Sequence, residues 1–175
     1  MATSKALPLA NRLFFIIQGT LKYVPFGWAV RARRLLYTPF FLRVGRHLTV
    51  HDAVTIKYPS DISLGDHVTI NAGCIITGLG GLSIGHDVMI GAGTKIVTTT
   101  HMTSRTDQPM RLQGLQSSPV VIEDDVWFGF DVKVLPGAVV RRGAVLGAGS
   151  VVVDEIPAFA IAVGMPAKVV GTRQS

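Results

Sequence analysis

Hydrophobic residues recur every sixth position along most of this chain. A short internal repeat of this kind is typical of solenoids, in which each repeat buries its apolar face against its neighbours. The leading apolar positions are Val44, Val50, Ile56, Leu64, Ile70, Ile76, Ile84, Ile90, Ile96, Ile122, Phe128, Val134, Val140, Leu146 and Val152. The spacing therefore predicts an all-β solenoid of short parallel strands.

The spacing is interrupted after every third hexad. Ile56 and Leu64 are eight residues apart, as are Ile76 and Ile84, and twenty-six residues separate Ile96 from Ile122. If three hexads make one triangular coil, all three insertions leave from the same corner. We expect about five coils, with a protruding loop at 102–121, over residues 44–63, 64–83, 84–121, 122–139 and 140–157.

Two further positions of the hexad fit a coiled chain with tight corners. The residue four after the leader is mostly small or β-branched, which suits a crowded interior, and Cys74 at that position is interpreted as a core residue rather than a reactive thiol. The residue directly after the leader is often glycine, which we interpret as a corner that needs positive φ. These glycines are Gly45, Gly65, Gly85, Gly91, Gly129 and Gly147.

The N-terminal segment, residues 1–43, has a different pattern. Its helical part is predicted to put Trp28, Leu35 and Leu36 on one face together with Ala32, and Arg31 and Arg34 on another. We expect this segment to cap the open edge of the first coil. Residues 1–51 hold eight Lys or Arg and no acid, so contact with an anionic membrane surface is the alternative.

Composition supports one domain, 44–157, between this segment and a C-terminal tail at 158–175. The chain has 175 residues, of which 48% are hydrophobic and 16% charged, with a net charge of +6. The single cysteine excludes an internal disulfide, and the apolar run Leu13–Ile17 is too short to span a bilayer. We predict a cytoplasmic protein, with peripheral contact at the inner face of the membrane as the variant, and no nucleic-acid partner.

Several motifs in order resemble the hexapeptide-repeat O-acetyltransferases, and within them the maltose and galactoside acetyltransferase branch and its capsule and exopolysaccharide relatives. They are Thr98-Thr-Thr-His101, Val121-Ile-Glu-Asp-Asp-Val-Trp-Phe-Gly129, Val134-Leu-Pro-Gly137, Leu146-Gly-Ala-Gly-Ser150 and Ala162-Val-Gly-Met-Pro-Ala-Lys168. The resemblance implies a left-handed β-helix, acetyl-CoA as co-substrate, and a homotrimer with active sites between subunits. It also implies acetyl transfer to a hydroxyl of a sugar or cell-envelope polysaccharide precursor.

The same resemblance assigns roles to individual residues. His101, where the long loop leaves, is the expected general base, and histidine suits this role because it exchanges protons near neutral pH. Asn71 and Trp127 are the expected acceptor-binding residues. The expected contacts to acetyl-CoA are Gly129, Phe130, Ala148 and Lys168. Val153-Asp154 and Gly171 depart from the family pattern at positions near the coenzyme A phosphates, with Arg173 as a candidate substitute.

The sequence leaves other interpretations of the site and the function open. No metal site is expected, because His47, His51, His67 and His86 form no paired motif near His101. An N-acetyltransferase acting on an amino sugar or a drug-like amine is the alternative enzyme. A non-enzymatic β-helix scaffold is the third reading.

Overall fold

Three parallel sheets, named A, B and C, run along the molecule, and the chain visits them in that order in every coil. The structure, a computed structural model, describes residues 9–174. Because each sheet takes one strand from every coil, each strand pairs with its equivalents in the coils before and after it. The described chain is therefore a parallel solenoid with three sides.

The strands are short, as the hexad spacing predicts. Those of sheet A are β1 (Arg43–Val44), β4 (Ile62–Leu64), β7 (Leu82–Ile84), β12 (Val120–Ile122), β15 (Val139–Val140) and β18 (Glu155–Ile156). Those of sheet B are β2 (Thr49–Val50), β5 (Thr69–Ile70), β8 (Met89–Ile90), β13 (Trp127–Phe128), β16 (Val145–Leu146), β19 (Ala160–Val163) and β20 (Lys168–Thr172). Those of sheet C are β3 (Thr55–Lys57), β6 (Ile75–Thr77), β9 (Lys95–Ile96), β14 (Lys133–Val134) and β17 (Val151–Val152).

The five predicted coils are present, and an incomplete sixth follows them. Strands β18 and β19 continue sheets A and B beyond the fifth coil, and β20 then turns back to pair antiparallel with β19. The segment 158–175, predicted as a tail, thus forms two strands in its described part.

The leading apolar residues fill the interior of the solenoid. They pair with one another from coil to coil, for example Val50 with Ile70 and Ile70 with Ile90. Fourteen of the fifteen are buried, and Val44, in the first strand, is half-buried. The hexad pattern is therefore the pattern of side chains that point into the core.

The corners need positive φ at a different position from the one predicted. The backbone turns left-handed at the third residue after the leader, at His47, His67 and Asp87 among others, whereas the glycines directly after the leader are not left-handed. Close packing explains these glycines instead. A Cβ on Gly65 would lie 2.5 Å from the carbonyl carbon of Gly85 in the next coil. The interpretation that the glycines directly after the leader adopt positive φ is therefore wrong.

All three insertions leave at the corner between sheets C and A, as predicted. The first contains a one-turn 3-10 helix, Pro59–Asp61, and the third is the long one. The long insertion is a β-hairpin rather than a plain loop, because β10 (Thr99–His101) pairs antiparallel with β11 (Leu115–Ser117). A second 3-10 helix, Met110–Leu112, lies between these strands, and the hairpin ends before β12 begins.

Two helices cover the open end of the first coil. They are α1 (Leu9–Leu21) and α2 (Gly27–Tyr37), followed by a 3-10 turn at Thr38–Phe40, while residues 1–8 of the predicted segment lie outside the described residues. Neither helix has the length and hydrophobicity of a transmembrane helix. The Phe14 ring packs edge-on against the Tyr37 ring at 5.2 Å between centroids, which joins the two helices.

Polar side chains of the helices bind the unpaired edge of the first coil. The Ile56 N–H donates to Gln18 Oε1 (2.7 Å), and Gln18 Nε2 donates to the Ile56 carbonyl (3.2 Å), as a neighbouring strand would. The fully buried Arg33 donates from Nε to the Val50 carbonyl at 2.8 Å. The predicted capping role is confirmed, because these bonds satisfy edge groups that no strand pairs.

The apolar face predicted for α2 is not the face that caps the first coil. Ala29, Arg33 and Tyr37 are buried, whereas Trp28 and Leu35 are exposed. The physical reason is that a strand edge presents carbonyl groups, which need donors rather than hydrocarbon. Arg33 also donates from Nη1 to the carbonyls of Leu21, at the end of α1, and of Val24, in the loop between the helices, both at 2.9 Å.

Replacing Arg33 with Met should lower the free energy of unfolding by about 3 kcal/mol, because three buried carbonyl groups lose their donor. Thermal unfolding followed by circular dichroism should show the midpoint falling by roughly 10 °C. The exposed neighbour Arg34, changed to Met, is the matched control and should change the midpoint little. Equal midpoints for the two variants would contradict the role of Arg33.

Cys74 should react with a thiol reagent such as Ellman's reagent only after unfolding. Its side chain is buried, and burial raises the pKa of the thiol to about 11. Since only the thiolate reacts, labelling of native protein at pH 8 should be over ~100-fold slower than labelling in denaturant. Fast labelling of the native protein would show that Cys74 is not a core residue.

Candidate active site

A pocket lies at the corner between sheets B and C, across the first to fourth coils. Its volume is about 250 Å³. It is lined by His51, Asn71, Ala72, Gly91, Ala92, Trp127, Phe128, Gly129 and Phe130. Four of the residues expected from the sequence, Asn71, Trp127, Gly129 and Phe130, are thus brought together here.

Asn71 is held in place by the coil above it. Its Nδ2 donates to the Ile90 carbonyl at 2.9 Å, and its main-chain N–H donates to the same oxygen at 3.1 Å. In the described part of the chain, no hydrogen bond uses Asn71 Oδ1. The side chain is therefore oriented by the fold and keeps an acceptor for a ligand.

His51 lines the same pocket and was missed as a site residue. It stands directly after the leader Val50, twenty residues before Asn71, so the two occupy the same corner position in adjacent coils. In the sequence, His51 forms no paired motif with His101 and lies far from the long insertion. Residues twenty positions apart occupy equivalent places in these adjacent coils, and this spacing from Asn71 would have identified His51.

Two aromatic rings are exposed at this corner. Trp127 is 51% exposed and Phe130 is 68% exposed, although both are large and apolar. Trp127 points outward because its strand neighbour Phe128 is a leader and fills the core. Exposed aromatic rings beside a pocket are typical of ligand contact rather than of folding.

Unpaired main-chain donors follow the same corner. The N–H groups of Ala72, Ala92, Phe130 and Ala148 have no acceptor among the described residues. Ala148 lies one coil above Phe130, since the N–H of its neighbour Gly149 donates to the Phe130 carbonyl at 2.8 Å. The corner thus carries a row of N–H groups facing no protein partner.

The corner between sheets A and B differs, because side chains there accept hydrogen bonds from the main-chain N–H groups at the equivalent positions. The Arg46 N–H donates to Asp66 Oδ1 (2.7 Å), the Asp66 N–H to His86 Nδ1 (3.0 Å), and the His86 N–H to Asp124 Oδ1 (2.6 Å). Hydrogen bonds from the Arg46 side chain and N–H lower the pKa of Asp66 to about 2. This carboxylate is therefore a charged acceptor at neutral pH, and side chains occupy the N–H groups of Arg46, Asp66 and His86 at this corner.

The N–H groups of Gly129 and Phe130 differ in the same way. The Gly129 N–H donates to the Leu146 carbonyl at 2.7 Å, so it belongs to the sheet and has no free proton for a ligand. The Phe130 N–H keeps its free donor.

His101 lies away from this pocket within one chain. It is the last residue of β10, opposite Leu115, in the hairpin that leaves the corner between sheets C and A. Its side chain is exposed, and it was expected at the end of the third strand of the coil, which is β9 instead. A single chain does not place His101 and Asn71 at the same corner.

The hairpin has large apolar side chains that no other part of the described chain covers. Met102, Leu112 and Leu115 are all exposed. The charged residues of the loop largely neutralise each other, because Arg105 forms a bidentate ion pair with Asp107 and lowers the pKa of that carboxyl. What the hairpin offers a partner is therefore hydrocarbon together with His101.

The predicted basic contacts lie at the far end of the solenoid. Lys168 begins β20 and lines a separate pocket with Asp154 and Glu155. Arg173 is occupied at the corner between sheets A and B, where Nη1 donates to Asp125 Oδ2 (2.8 Å) and to the Gly143 carbonyl (3.0 Å). Arg173 is thus not available as a substitute for phosphate contacts. Residues 9–174 contain no cluster of three or more His, Cys, Asp or Glu suited to a metal ion.

Comparisons with known proteins agree with this architecture. Residues 119–153 match the profile of the hexapeptide repeat of succinyl-transferase. A probable acetyltransferase of Mycobacterium tuberculosis is 52% identical over 66 residues, which are 38% of this chain and 22% of that protein. The chain thus spans about a fifth of that longer relative.

Two solved structures resemble nearly the whole chain. A galactoside acetyltransferase in complex with coenzyme A has a TM-score of 0.86 at 26% identity, covering 98% of this chain and 84% of its own. A maltose O-acetyltransferase from Clostridium difficile 630 has a TM-score of 0.82 at 26% identity, covering 95% and 87%. The chain thus has the β-helix architecture of these two acetyltransferases and matches a hexapeptide-repeat profile over residues 119–153, and a left-handed helix fits these neighbours.

Proposed function

We propose that the protein transfers an acetyl group from acetyl-CoA to a hydroxyl of a sugar or cell-envelope polysaccharide precursor, with His101 as general base. The observation that carries this proposal is the row of free N–H groups at the B–C corner, which leads past the pocket of Asn71 and Trp127. A purely structural solenoid has no need to leave that corner open while the A–B corner is closed by side chains.

The row of N–H groups suits the donor. The pantetheine arm of coenzyme A is an extended chain with two amide groups, whose carbonyl oxygens need donors in register. Ala148 offers such a donor, while the Phe130 N–H, one coil below, is left for the thioester carbonyl of acetyl-CoA. Lys168 at the end of the solenoid is the proposed contact to the phosphates, weakened by Asp154 and Glu155 beside it.

The pocket suits a sugar acceptor. Trp127 and Phe130 provide flat apolar rings for the faces of a sugar, and Asn71 Oδ1 provides an acceptor for a hydroxyl. His51, at the lower wall, adds a second polar group. A pocket with two aromatic and two polar side chains orients a polyhydroxy ligand better than it orients a lipid tail.

We place the complete site between subunits of a cyclic homotrimer. In such a ring, the hairpin of one protomer packs at the B–C corner of the next, which brings His101 to the pocket that its own chain leaves without a base. The exposed Met102, Leu112 and Leu115 give the hairpin an apolar surface for that contact. Trp127 and Phe130 offer the same chemistry on the receiving side.

The reaction needs one proton transfer in each direction. His101 accepts the proton of the acceptor hydroxyl while its oxygen attacks the thioester carbonyl carbon. The free Phe130 N–H is placed to stabilise the negative charge on the carbonyl oxygen. The carbon–sulfur bond then breaks, and the sulfur takes the proton from His101, leaving an acetyl ester and free coenzyme A. We place this reaction in the cytoplasm, at or near the inner face of the membrane.

Changing His101 to Ala should lower kcat by roughly 10²- to 10⁴-fold, because the hydroxyl loses its base. The measurement is thiol release from acetyl-CoA with a panel of sugars, each paired with its amino-sugar analogue. Reaction with the hydroxyl sugars supports O-acetylation, and reaction only with the amines would establish the N-acetyltransferase instead.

His67 provides the matched control for that variant. It is an exposed corner histidine with φ of 58°, so Asn, which tolerates a left-handed backbone, is the replacement that leaves the corner intact. His67→Asn should keep full activity. If His101→Ala also kept full activity, His101 would not be the base, and no activity on any acceptor would favour the scaffold reading.

Mixing two inactive variants should restore activity if the site lies between subunits. His101→Ala and Asn71→Ala would each remove one half of the site. Random assembly from equal amounts should regenerate about a quarter of the wild-type number of sites in the whole mixture, which is one intact site of three in each mixed trimer. Co-expression with two different tags and purification of the mixed trimer gives the measurement. A mixed trimer as inactive as its parents would place both residues in the same subunit's site.

A further inference from the structure

The helical cap has an apolar outer surface that the β-helix does not use. We define the outer cap face as Leu9, Leu13 and Ile16 of α1 with Trp28, Arg31 and Leu35 of α2. Leu9 is 82% exposed, Ile16 66% and Leu35 72%. Exposure of this many large apolar side chains on two short helices is unusual for a surface that faces only water.

Both helices point this face in the same direction. On α1, Leu9, Leu13 and Ile16 lie half a turn from the buried Asn11, Phe14 and Gln18. The same holds on α2, where Arg31 and Leu35 lie opposite the buried face. Because both inner faces pack on the single open end of the first coil, both outer faces look away from that end.

The loop between the helices extends the same surface. It carries Tyr23 and Phe26, which are 72% and 62% exposed. Tyr and Trp side chains have an apolar ring and a polar tip, so they favour the boundary between water and hydrocarbon. The cap therefore has the side chains of an interfacial structure at its loop as well as on its helices.

The charge around this face has one sign. Residues 1–51 contain no Asp or Glu, and Arg12, Arg31 and Arg34 are exposed on the two helices. A shallow depression of about 240 Å³ is lined by Arg31, Arg34 and Leu35, so two guanidinium groups share one hollow. No acid among the described residues forms an ion pair with either of them.

We propose that the outer cap face docks on an anionic phospholipid surface. The apolar side chains enter the headgroup region, and Arg31 and Arg34 bind lipid phosphates, so the helices lie in the interface without crossing it. A second copy of the chain is the weaker occupant, because pairing this face with itself would bring arginines together with no acid between them.

Lipid binding by the cap is independent of the proposed chemistry, because none of the residues of the outer cap face belongs to the proposed active site. The surface that binds lipid is at one end of the solenoid, while the pocket of Asn71 lies along its side. A docked protein would therefore keep its pocket open to an acceptor held at the same membrane. Binding and catalysis are measured separately, so failure of one does not decide the other.

The test is flotation of the purified full chain with vesicles in the absence of any substrate. One set of vesicles is phosphatidylcholine alone, and the other contains phosphatidylglycerol in addition. We expect binding to the anionic vesicles, weak binding to the neutral ones, and a loss of binding as salt is raised. Equal binding to both sets, or to neither, would overturn the proposal.

Two double variants separate the apolar and charged contributions. Ile16→Ser with Leu35→Ser should weaken vesicle binding at least about tenfold, and Arg31→Gln with Arg34→Gln about twentyfold. The controls remove the same groups elsewhere: Met110→Ser with Met165→Ser for apolar side chains, and Lys57→Gln with Arg111→Gln for charge. Controls that weaken binding as strongly as the cap variants would overturn the assignment to the cap.

Size-exclusion chromatography with light scattering tests whether a second copy of the chain binds the outer cap face instead. The cap variants should keep the molecular mass and the unfolding midpoint of the wild type, since all four side chains are exposed. If instead their mass falls while the wild type fails to float, the face is a contact between copies of this chain and the proposal is wrong.

Discussion

The structure depends on main-chain hydrogen bonds between successive coils. These bonds set each strand against its equivalent in the next coil, so Val50, Ile70 and Ile90 form one column and Asn71 is fixed by the Ile90 carbonyl. The close approach also explains the glycine columns, since a Cβ on Gly65 would meet the backbone of the next coil. With the three sides constrained in this way, only corners and ends are free to differ.

Each corner uses that freedom differently. At the A–B corner, Asp66 and His86 accept main-chain N–H groups from the coil before, which makes the corner self-sufficient. At the B–C corner, small residues such as Ala92 and Ala148 provide no such acceptor, so the donors stay open to a ligand. The C–A corner tolerates insertions and carries the hairpin with His101. The active site we propose needs the second and third corners together, which is the structural reason to assign it to neighbouring subunits.

The two ends meet a different constraint, because an end coil has no partner on one side. Gln18 forms two hydrogen bonds with the main chain of Ile56, as a strand would, and Arg33 donates to the Val50 carbonyl, so the inner face of the cap carries polar groups beside the buried Phe14 and Tyr37 rings. Trp28 and Leu35 of α2 are consequently on the outside. That inversion satisfies the strand edge and at the same time creates the outer cap face. At the far end, β20 closes sheet B by pairing antiparallel with β19.

The sequence by itself determined the coils, the order of the sheets and the common corner of the insertions, because a six-residue hydrophobic period directly reports which side chains enter the core. It also determined which motifs stand at the corners, including those of Asn71, Trp127 and His101. Only the tertiary structure decided which main-chain donors are free, that His51 shares the pocket, and that Arg173 is held by Asp125. These outcomes depend on contacts between groups about twenty to fifty residues apart, and hydrophobic periodicity carries no information about hydrogen-bond partners at that distance.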